Sequence, residues 1–95
     1  MTRSELIQRL NQKYPHLYQR DIETLVTTIL NEISEALARE ERVELRGFGA
    51  FSIRRRDPRV ARNPKNGEKV KVDERRAIYF RTGKELRERI NNKAS

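Results

Sequence analysis

The sequence predicts an α+β domain that folds as a dimer. Its elements are two N-terminal helices, strands that extend into a long basic ribbon, and a short C-terminal helix. Three observations lead to this prediction. Apolar residues recur at helical spacing between residues 19 and 38, and they alternate with polar residues after residue 43. Between residues 54 and 81 large apolar residues become scarce, and 11 Lys and Arg side chains stand against 4 Asp and Glu.

Composition limits the classes of protein that fit. The 95 residues carry a formal net charge of +8, and nearly all of the excess lies between residues 54 and 81, because residues 1–53 hold 7 basic and 8 acidic side chains. The sequence has no Cys, no apolar run long enough to span a membrane and no signal-peptide segment. A basic patch of this density predicts a polyanionic partner, with nucleic acid favoured over an anionic membrane surface.

The first helix is predicted to begin at an N-terminal cap and to end before a proline. The segment Thr2-Arg3-Ser4-Glu5 has the spacing of a capping box, in which the hydroxyl accepts a hydrogen bond from the backbone three positions on. Pro15 stops the helix near Lys13, because the residue before a proline is disfavoured in the helical region.

The second helix is predicted from about Gln19 to Ala38 and carries a broad apolar stripe. One short preceding helix cannot cover so much apolar surface. Two interpretations are open, namely core packing within one chain and a dimer in which the stripe meets its counterpart; the dimer is favoured. The stripe consists of Ile22, Leu25, Val26, Ile29, Leu30, Ile33 and Leu37.

A period of two begins at Val43 and predicts a half-buried strand that runs to Leu45. The tight turn Gly47-Phe48-Gly49 follows. It could cradle a phosphate, but neither a Lys-Ser/Thr pair nor a helix start follows it, so its glycines are expected to supply backbone freedom. Phe48 and Phe51 are expected to fill the core of the dimer together with the apolar stripe, and Phe51 is expected to lie on a second strand.

A basic ribbon is predicted between two extended segments, Arg59–Arg62 and Lys69–Val72. The cluster of Pro64, Asn66 and Gly67 between them indicates a chain reversal, with the proline at or beside the tip. Because an isolated two-stranded ribbon is only marginally stable, something outside the chain is expected to order it.

The chain then returns to the sheet and ends in a helix. Ala77–Phe80 is the predicted returning strand, and a short helix is expected to start at Thr82 or Gly83. Residues 91–95 are expected to form a frayed tail.

The sequence offers no set of residues for catalysis. His16 is the only histidine and has no Cys or second His with which to share a metal ion. No Ser/His/Asp set, metalloprotease motif, phosphate-binding loop or dinucleotide fingerprint is present. We therefore expect a protein that is not an enzyme and that uses no metal and no cofactor.

Four segments in combination carry a family resemblance over essentially the whole length. They are residues 1–7 (MTRSELI), 46–51 (RGFGAF), 62–67 (RNPKNG) and 83–87 (GKELR). With them, the chain resembles the bacterial HU / integration host factor family of DNA-bending proteins, and within it the beta-subunit branch of integration host factor. It departs from the usual family pattern at Asn66 and Thr82.

The resemblance implies an intertwined dimer with a three-stranded antiparallel sheet extended into β-ribbon arms that wrap the DNA minor groove. Residues 1–53 would form the helical dimerisation body and the start of the sheet, residues 54–76 the arm, and residues 77–95 the last strand and C-terminal helix. Pro64 would insert between base pairs as a wedge, although on its residues alone it could equally be a turn former. The other expected DNA contacts are Asn63, Lys65, Arg59, Arg62, Arg55, Arg56, Lys69, Lys71, Arg76 and Lys84.

Arg46 and Glu44 match positions that help integration host factor beta to select its preferred sites. HU-type proteins show little sequence preference, so this pair bears on the branch to which the chain belongs. The resemblance implies either a heterodimer with the related alpha subunit of integration host factor or an HU-type homodimer. It also implies a cytoplasmic location in the bacterial nucleoid, with roles in recombination, in the regulation of transcription and translation, and in nucleoid organisation.

Two other classes of partner stay open from the residues alone. A binder of RNA is disfavoured because no cluster of aromatic residues forms a stacking platform for single strands. A protein that lies on anionic membranes would carry Lys and Arg opposite an apolar face on one helix, whereas here the apolar helix is not the basic segment.

Overall fold

A computed structural model describes residues 1–56, 59–62, 65–67, 69–72 and 75–92 of the chain. The elements follow the predicted α+β order, with helices first, then strands, then a final helix. They are α1 (Arg3–Lys13), α2 (Gln19–Ala38), β1 (Val43–Leu45), β2 (Gly49–Arg56), β3 (Arg59–Arg62), β4 (Lys69–Val72), β5 (Arg75–Thr82) and α3 (Lys84–Asn91).

Residues 1–35 form one compact unit, built from α1 and most of α2. The Thr2 hydroxyl accepts a hydrogen bond of 3.1 Å from the backbone N–H of Glu5, which confirms the predicted cap. The unit has a small apolar core in which Ile7, Ile22 and Val26 are buried. Leu6 and Leu10 pack against this core and remain partly exposed.

The apolar stripe of α2 divides into a buried and an exposed part. Ile22 and Val26 are 3% and 6% exposed, whereas Leu25 and Ile29 are each 57% exposed. Leu30 also belongs to the exposed part, while Ile33 is half-buried and Leu37 is buried. Packing within one chain therefore accounts for only part of the stripe.

Residues 36–95 form the second compact unit, which begins with the last turn of α2. The helix ends in a Schellman motif, in which the N–H of Glu40 donates to the carbonyl of Leu37 and the N–H of Glu41 donates to that of Ala36. Glu40 has a φ of 62°, the left-handed conformation that glycine normally supplies at this position.

The sheet of this unit has three antiparallel strands in the order β1-β2-β5. Val43 pairs with Phe51 across β1 and β2, and Phe51 pairs with Phe80 across β2 and β5. The strand β5 runs from Arg75 to Thr82 and is longer than predicted from the sequence, where only Ala77–Phe80 was assigned.

Strands β3 and β4 form a separate two-stranded antiparallel sheet, the basic ribbon predicted from the sequence. Its pairing runs from Arg59 opposite Val72 to Arg62 opposite Lys69. Residues 54–56 and 75–76, predicted as part of the arm, lie beyond the end of β1, where β2 and β5 continue as a two-stranded pair as far as Arg56 and Arg75.

The sheet has one apolar face, and much of it is exposed. The rings of Phe51 and Phe80 lie 4.7 Å apart between centroids, and those of Phe48 and Phe80 lie 5.6 Å apart. Phe48 is nevertheless 47% exposed and Ile78 is 62% exposed. A single chain therefore leaves the aromatic residues incompletely covered.

The helix α3 begins at Gly83, which is its N-cap, as predicted. It extends to Asn91, so the first residue of the predicted tail is helical, and residues 93–95 lie outside the described part of the chain. Among the described residues, no helix is both long and apolar enough to cross a lipid bilayer.

Candidate nucleic-acid interface

The second face of the three-stranded sheet is basic. In an antiparallel sheet, directly paired residues point to the same side and successive residues along a strand point to opposite sides. Ala77 pairs with Arg54, Arg75 with Arg56, and Arg81 with Ala50, which places four arginines on one side of β2 and β5. We call Arg54, Arg56, Arg75 and Arg81 the basic face; all four are exposed.

Tyr79 lies on the same side of the sheet as the basic face, and its ring stacks against Arg54. The guanidinium carbon of Arg54 lies 3.4 Å from the centroid of the Tyr79 ring, which is a cation–π contact. Ser52, the residue between Phe51 and Ile53, pairs directly with Tyr79, so the ring stands on the same face as the arginines. The stacking keeps the Arg54 charge on the sheet rather than extended into solvent.

The basic face continues into a shallow concavity beside β1. This depression has a volume of about 550 Å³. Gly49 and Ala50 of β2 are among its lining residues. Its remaining lining residues are Arg42, Glu44, Leu45, Arg46, Gly47, Arg81, Thr82 and Gly83.

Glu44 and Arg46, the two residues expected to select DNA sites, both line this concavity and both are exposed. The carboxylate of Glu44 lies 3.9 Å from Nε of Arg42, at the long end for an ion pair. Such an exposed ion pair contributes little stability, so Arg42 and Glu44 can separate to contact a ligand at small energetic cost.

Glycine at position 49 is required by close packing. A Cβ atom there would lie 2.5 Å from the Phe80 ring and 2.7 Å from the backbone oxygen of Arg81. Gly47 has a φ of 86°, which a side chain would strain. The predicted backbone freedom therefore applies to Gly47, whereas Gly49 is required because β2 packs closely against the Phe80 ring and β5.

The turn also positions the start of α3. The N–H of Gly83 donates to the carbonyl of Phe48 at 2.8 Å, and the N–H of Leu86 donates to that of Gly47 at 3.1 Å. These bonds place Lys84, an expected DNA contact, at the first position of α3 next to the glycine turn, where it is exposed.

Arg55 and Arg76 do not belong to the basic face, although both were expected to contact DNA. They pair with each other across β2 and β5 and lie on the apolar face of the sheet, next to the Ile53–Ile78 pair on that face. Arg55 donates two hydrogen bonds to the Glu40 carboxylate, of 2.6 Å from Nε and 2.5 Å from an Nη atom. The structure thus separates Arg55 from its sequence neighbours Arg54 and Arg56, and Arg76 from its neighbour Arg75.

The same contacts act on the charge of Glu40. The hydrogen bond from Arg55 lowers the pKa of the Glu40 carboxyl below its usual value of 4.5, against the opposing effect of desolvation, and the positive charges of Arg55 and Arg76 add to the lowering. The Glu40 carboxylate therefore offsets part of the positive charge of the two neighbouring guanidinium groups.

The ribbon supplies the other expected contacts. The backbone of β3 and β4 carries Arg59, Arg62, Lys69 and Lys71, and beyond their ends Lys65 and Asn66 form an exposed turn. Gly67 follows with a φ of 72°, the conformation predicted for this reversal. The predicted wedge Pro64 and its neighbour Asn63 lie outside the described residues.

Sequence reasoning missed several residues that the structure places on or beside the basic face. These are Arg42, Arg54, Arg75, Tyr79 and Arg81. The signal was present in the sequence: Phe51 and Ile53 occupy odd positions, so a period of two assigns Arg55 to their side and Arg54 and Arg56 to the opposite side. Within the described ranges, no group of three His, Cys, Asp or Glu side chains could hold a metal ion.

Three helices and an antiparallel sheet with a basic face and a basic ribbon define an architectural nucleic-acid-binding protein of the β-ribbon class. Residues 1–91 match the family described as "Bacterial DNA-binding protein". The chain therefore belongs to this family of DNA-binding proteins, that of HU.

Solved structures of HU proteins agree with this assignment. The chain is similar to HU from Anabaena in a cocrystal structure with DNA, at 33% sequence identity and a TM-score of 0.81, covering 96% of this chain and 98% of that one. It is also similar to HU from Thermotoga maritima and to a single-site variant of that protein, each at 28% identity. Their TM-scores are 0.64 and 0.69, and each comparison covers 96% of this chain and 100% of the other. These similarities confirm the predicted HU-like fold.

Proposed function

We propose that the protein is a non-enzymatic architectural subunit that binds the minor groove of double-stranded DNA and bends the duplex. The single observation that carries this proposal is the basic face of β2 and β5, which lies on the same two strands that lead toward the basic ribbon. The DNA in the Anabaena HU cocrystal supports the choice of DNA over RNA or membrane.

Binding would depend mainly on charge. Arginines on an exposed sheet face attract phosphates and displace their counterions, and a narrow minor groove concentrates negative potential in which guanidinium groups are favoured. The four arginines of the basic face and the basic residues of β3 and β4 would together follow the duplex.

Bending would use Pro64 as a wedge between base pairs. HU and integration host factor are standard examples of minor-groove binding with apolar wedges, so this step is carried over from the resemblance. A proline suits the role because it is rigid and apolar and has no N–H that insertion would leave unpaired. Its place in the chain, two residues beyond the end of β3, supports a position near the ribbon tip.

The binding unit would be a dimer. The exposed part of the α2 stripe and the exposed aromatic residues of the sheet need a cover, and a second chain of the same family is the cover that the resemblance implies. The residues expected in this interface include Leu25, Ile29, Leu30 and Phe48, all exposed in the single chain.

We further propose that the chain is the beta-type subunit of integration host factor, paired with a related alpha subunit. Glu44 and Arg46 support this assignment, because both stand exposed at the concavity where they could read the edges of a bound duplex. Recombination, regulation of transcription and translation, and organisation of the nucleoid would be the processes served. An HU-type homodimer with little sequence preference is the second candidate.

Two measurements test the proposal. A fluorescence end-to-end assay on an intact duplex should show shortening on binding, and a gel shift should favour intact or nicked duplex over single-stranded RNA. Preferential binding to the RNA, or a duplex that stays straight when bound, would contradict the DNA-bending function. The purified chain should need a second, related chain for selective binding. Full selectivity from the chain alone, or no gain in selectivity when the second chain is added, would favour the homodimer.

A further inference from the structure

Glu40 combines a strained backbone conformation with side-chain contacts to two arginines, Arg55 and Arg76. It occupies the left-handed position of the Schellman motif, with a φ of 62°, where glycine would fit without strain. Among non-glycine residues, a long side chain such as Glu has no special advantage in this conformation, since Asn and Asp are the types that adopt it most readily. Strain of this kind persists where the surrounding structure holds it.

The surrounding structure here is a pair of arginines on the ends of β2 and β5. Arg55 grips the Glu40 carboxylate with two hydrogen bonds of 2.6 and 2.5 Å. An Nη atom of Arg76 lies 3.8 Å from the same carboxylate and donates a 3.3 Å hydrogen bond to the carbonyl of Ala38, the last residue of α2. One carboxylate and one helix end thus hold both arginines.

Without Glu40 the two arginines would repel each other. They are direct cross-strand partners, and like charges directly opposite in a sheet are destabilising. The next pair, Arg56 with Arg75, is the last of the three-stranded sheet, and it is also a pair of like charges. The sheet therefore ends on four arginines, two on each face, at the point from which the chain leads to β3 and returns from β4.

We propose that Glu40 is a positioning residue for DNA bending, which clamps the Arg55–Arg76 pair to the end of α2 and so fixes the ends of β2 and β5 from which the ribbon extends. The inference rests on the proposed function. If the base of the ribbon is held rigid, the ribbon can impose a bend on a bound duplex. If the base frays, the ribbon deforms instead and the duplex is bent less. Glu40 itself need not contact DNA, because it faces Arg55 and Arg76 on the side opposite to the basic face.

The test compares Glu40→Gln with Glu41→Gln. Glu41 pairs with Arg39 through hydrogen bonds of 3.1 and 3.4 Å, and neither residue lies on a strand, so this control removes the same charge from an equivalent ion pair away from the ribbon. Glu40→Gly is a second variant, which removes the carboxylate but relieves the backbone strain. It separates loss of the clamp from damage to the helix end.

The first readout is amide hydrogen exchange without DNA. We expect the amides of residues 54–56 and 75–77 to exchange about threefold faster in both Glu40 variants than in Glu41→Gln, a change in the range of an exposed ion pair. The second readout is the end-to-end distance of a bound intact duplex, which we expect to stay longer in both Glu40 variants. Affinity for a nicked duplex, which is already deformable, should match that of Glu41→Gln.

A double-mutant cycle shows whether Glu40 acts through Arg55. Arg55→Gln should reduce bending in the parent protein and have no additional effect in the Glu40→Gln background. Bending by both Glu40 variants equal to that by Glu41→Gln would overturn the proposal, as would additive effects in the cycle. If the parent protein leaves duplex DNA straight, the proposed function fails by itself. In that case hydrogen exchange alone tests whether Glu40 fixes the strand ends. Equal amide exchange rates in Glu40→Gln and Glu41→Gln would refute the clamp.

Discussion

At the scale of single residues, the proposed wedge Pro64 would distinguish a protein that bends DNA from one that only binds it. A proline that shapes a turn contributes to the fold of the ribbon, whereas an inserted proline contributes to the deformation of the duplex. Unstacking one base step costs on the order of a few kcal/mol, which the additional contacts of the bent duplex offset. The two roles therefore separate in a comparison of intact and nicked DNA.

Pro64→Ala should bend intact duplex less and bind it more weakly, because alanine lacks the ring that fills the opened step. Thermal stability and dimerisation should be unchanged, and affinity for a nicked duplex should fall less, because the nick has already removed part of the deformation cost. The end-to-end distance measured by fluorescence transfer checks the bend. A variant that bends intact duplex as sharply as the parent would make Pro64 a turn residue only.

Glu44 is the residue that tests site selection. Glu44→Ala should lower the preference for specific over random duplex more than it lowers the affinity for random duplex, if Glu44 and Arg46 read the DNA at the concavity. Competition gel shifts with the two duplexes measure the ratio. Glu41→Ala is a matched control, since it removes an exposed carboxylate outside the concavity. Equal losses on both duplexes would favour an HU-type protein.

At the scale of elements, the alternation along β2 decides which arginines lie on the basic face. Because Arg54 and Arg56 lie on the basic face and Arg55 lies opposite, three adjacent and chemically identical residues have two different environments. Charge counting along the sequence treats them alike, whereas strand geometry separates them.

The double variant Arg54→Gln with Arg56→Gln should flatten the dependence of DNA affinity on salt. Each phosphate contact contributes about −0.9 to the slope of log affinity against log salt concentration, so the loss should approach about 1.8 in slope if both arginines contact phosphates. Fluorescence anisotropy titrations between low and high salt measure it. Arg20→Gln with Arg39→Gln removes the same charge outside the basic face; an equal flattening there would show that total charge, not the basic face, governs binding.

Much of the fold followed from the sequence, and the exceptions have physical reasons. The limits of α1 and α2 were predictable because a cap, a proline and a regular apolar period mark them. The face of Arg55 was also predictable from Phe51 and Ile53, but the charge of the run obscured it. The contacts of Glu40 were not predictable, since they depend on a left-handed backbone that its residue type disfavours and on arginines 15 residues or more away in sequence.

The division of the α2 stripe into a buried and an exposed part could not be predicted from the sequence, for a different reason. Helical spacing shows that a stripe is apolar but not which part its own chain covers. Ile7 and its neighbours on α1 cover only the part around Ile22 and Val26. The predicted dimer therefore depends on Leu25, Ile29 and Leu30, which spacing alone did not distinguish from the rest.

At the scale of the whole molecule, folding and dimerisation should be coupled. Ile29→Asp would place an unpaired charge in the proposed interface, so we expect it to abolish both the dimer and the cooperative fold. Light scattering and circular dichroism measure the two. Thr28→Asp introduces the same charge at a neighbouring exposed position outside the stripe and should leave both intact. A folded, monomeric Ile29→Asp protein would show that one chain is sufficient.

The two faces of the sheet also constrain how sequences of this kind can diverge. Aromatic residues and basic-face arginines share the same two strands at alternating positions, so a single inserted or deleted residue within β2 or β5 would exchange them from that point onward. Arginines would then point toward the proposed dimer interface and phenylalanines toward the proposed DNA-binding side. Length variants that survive selection should therefore differ by even numbers of residues, matched on both strands, or carry a bulge that restores parity.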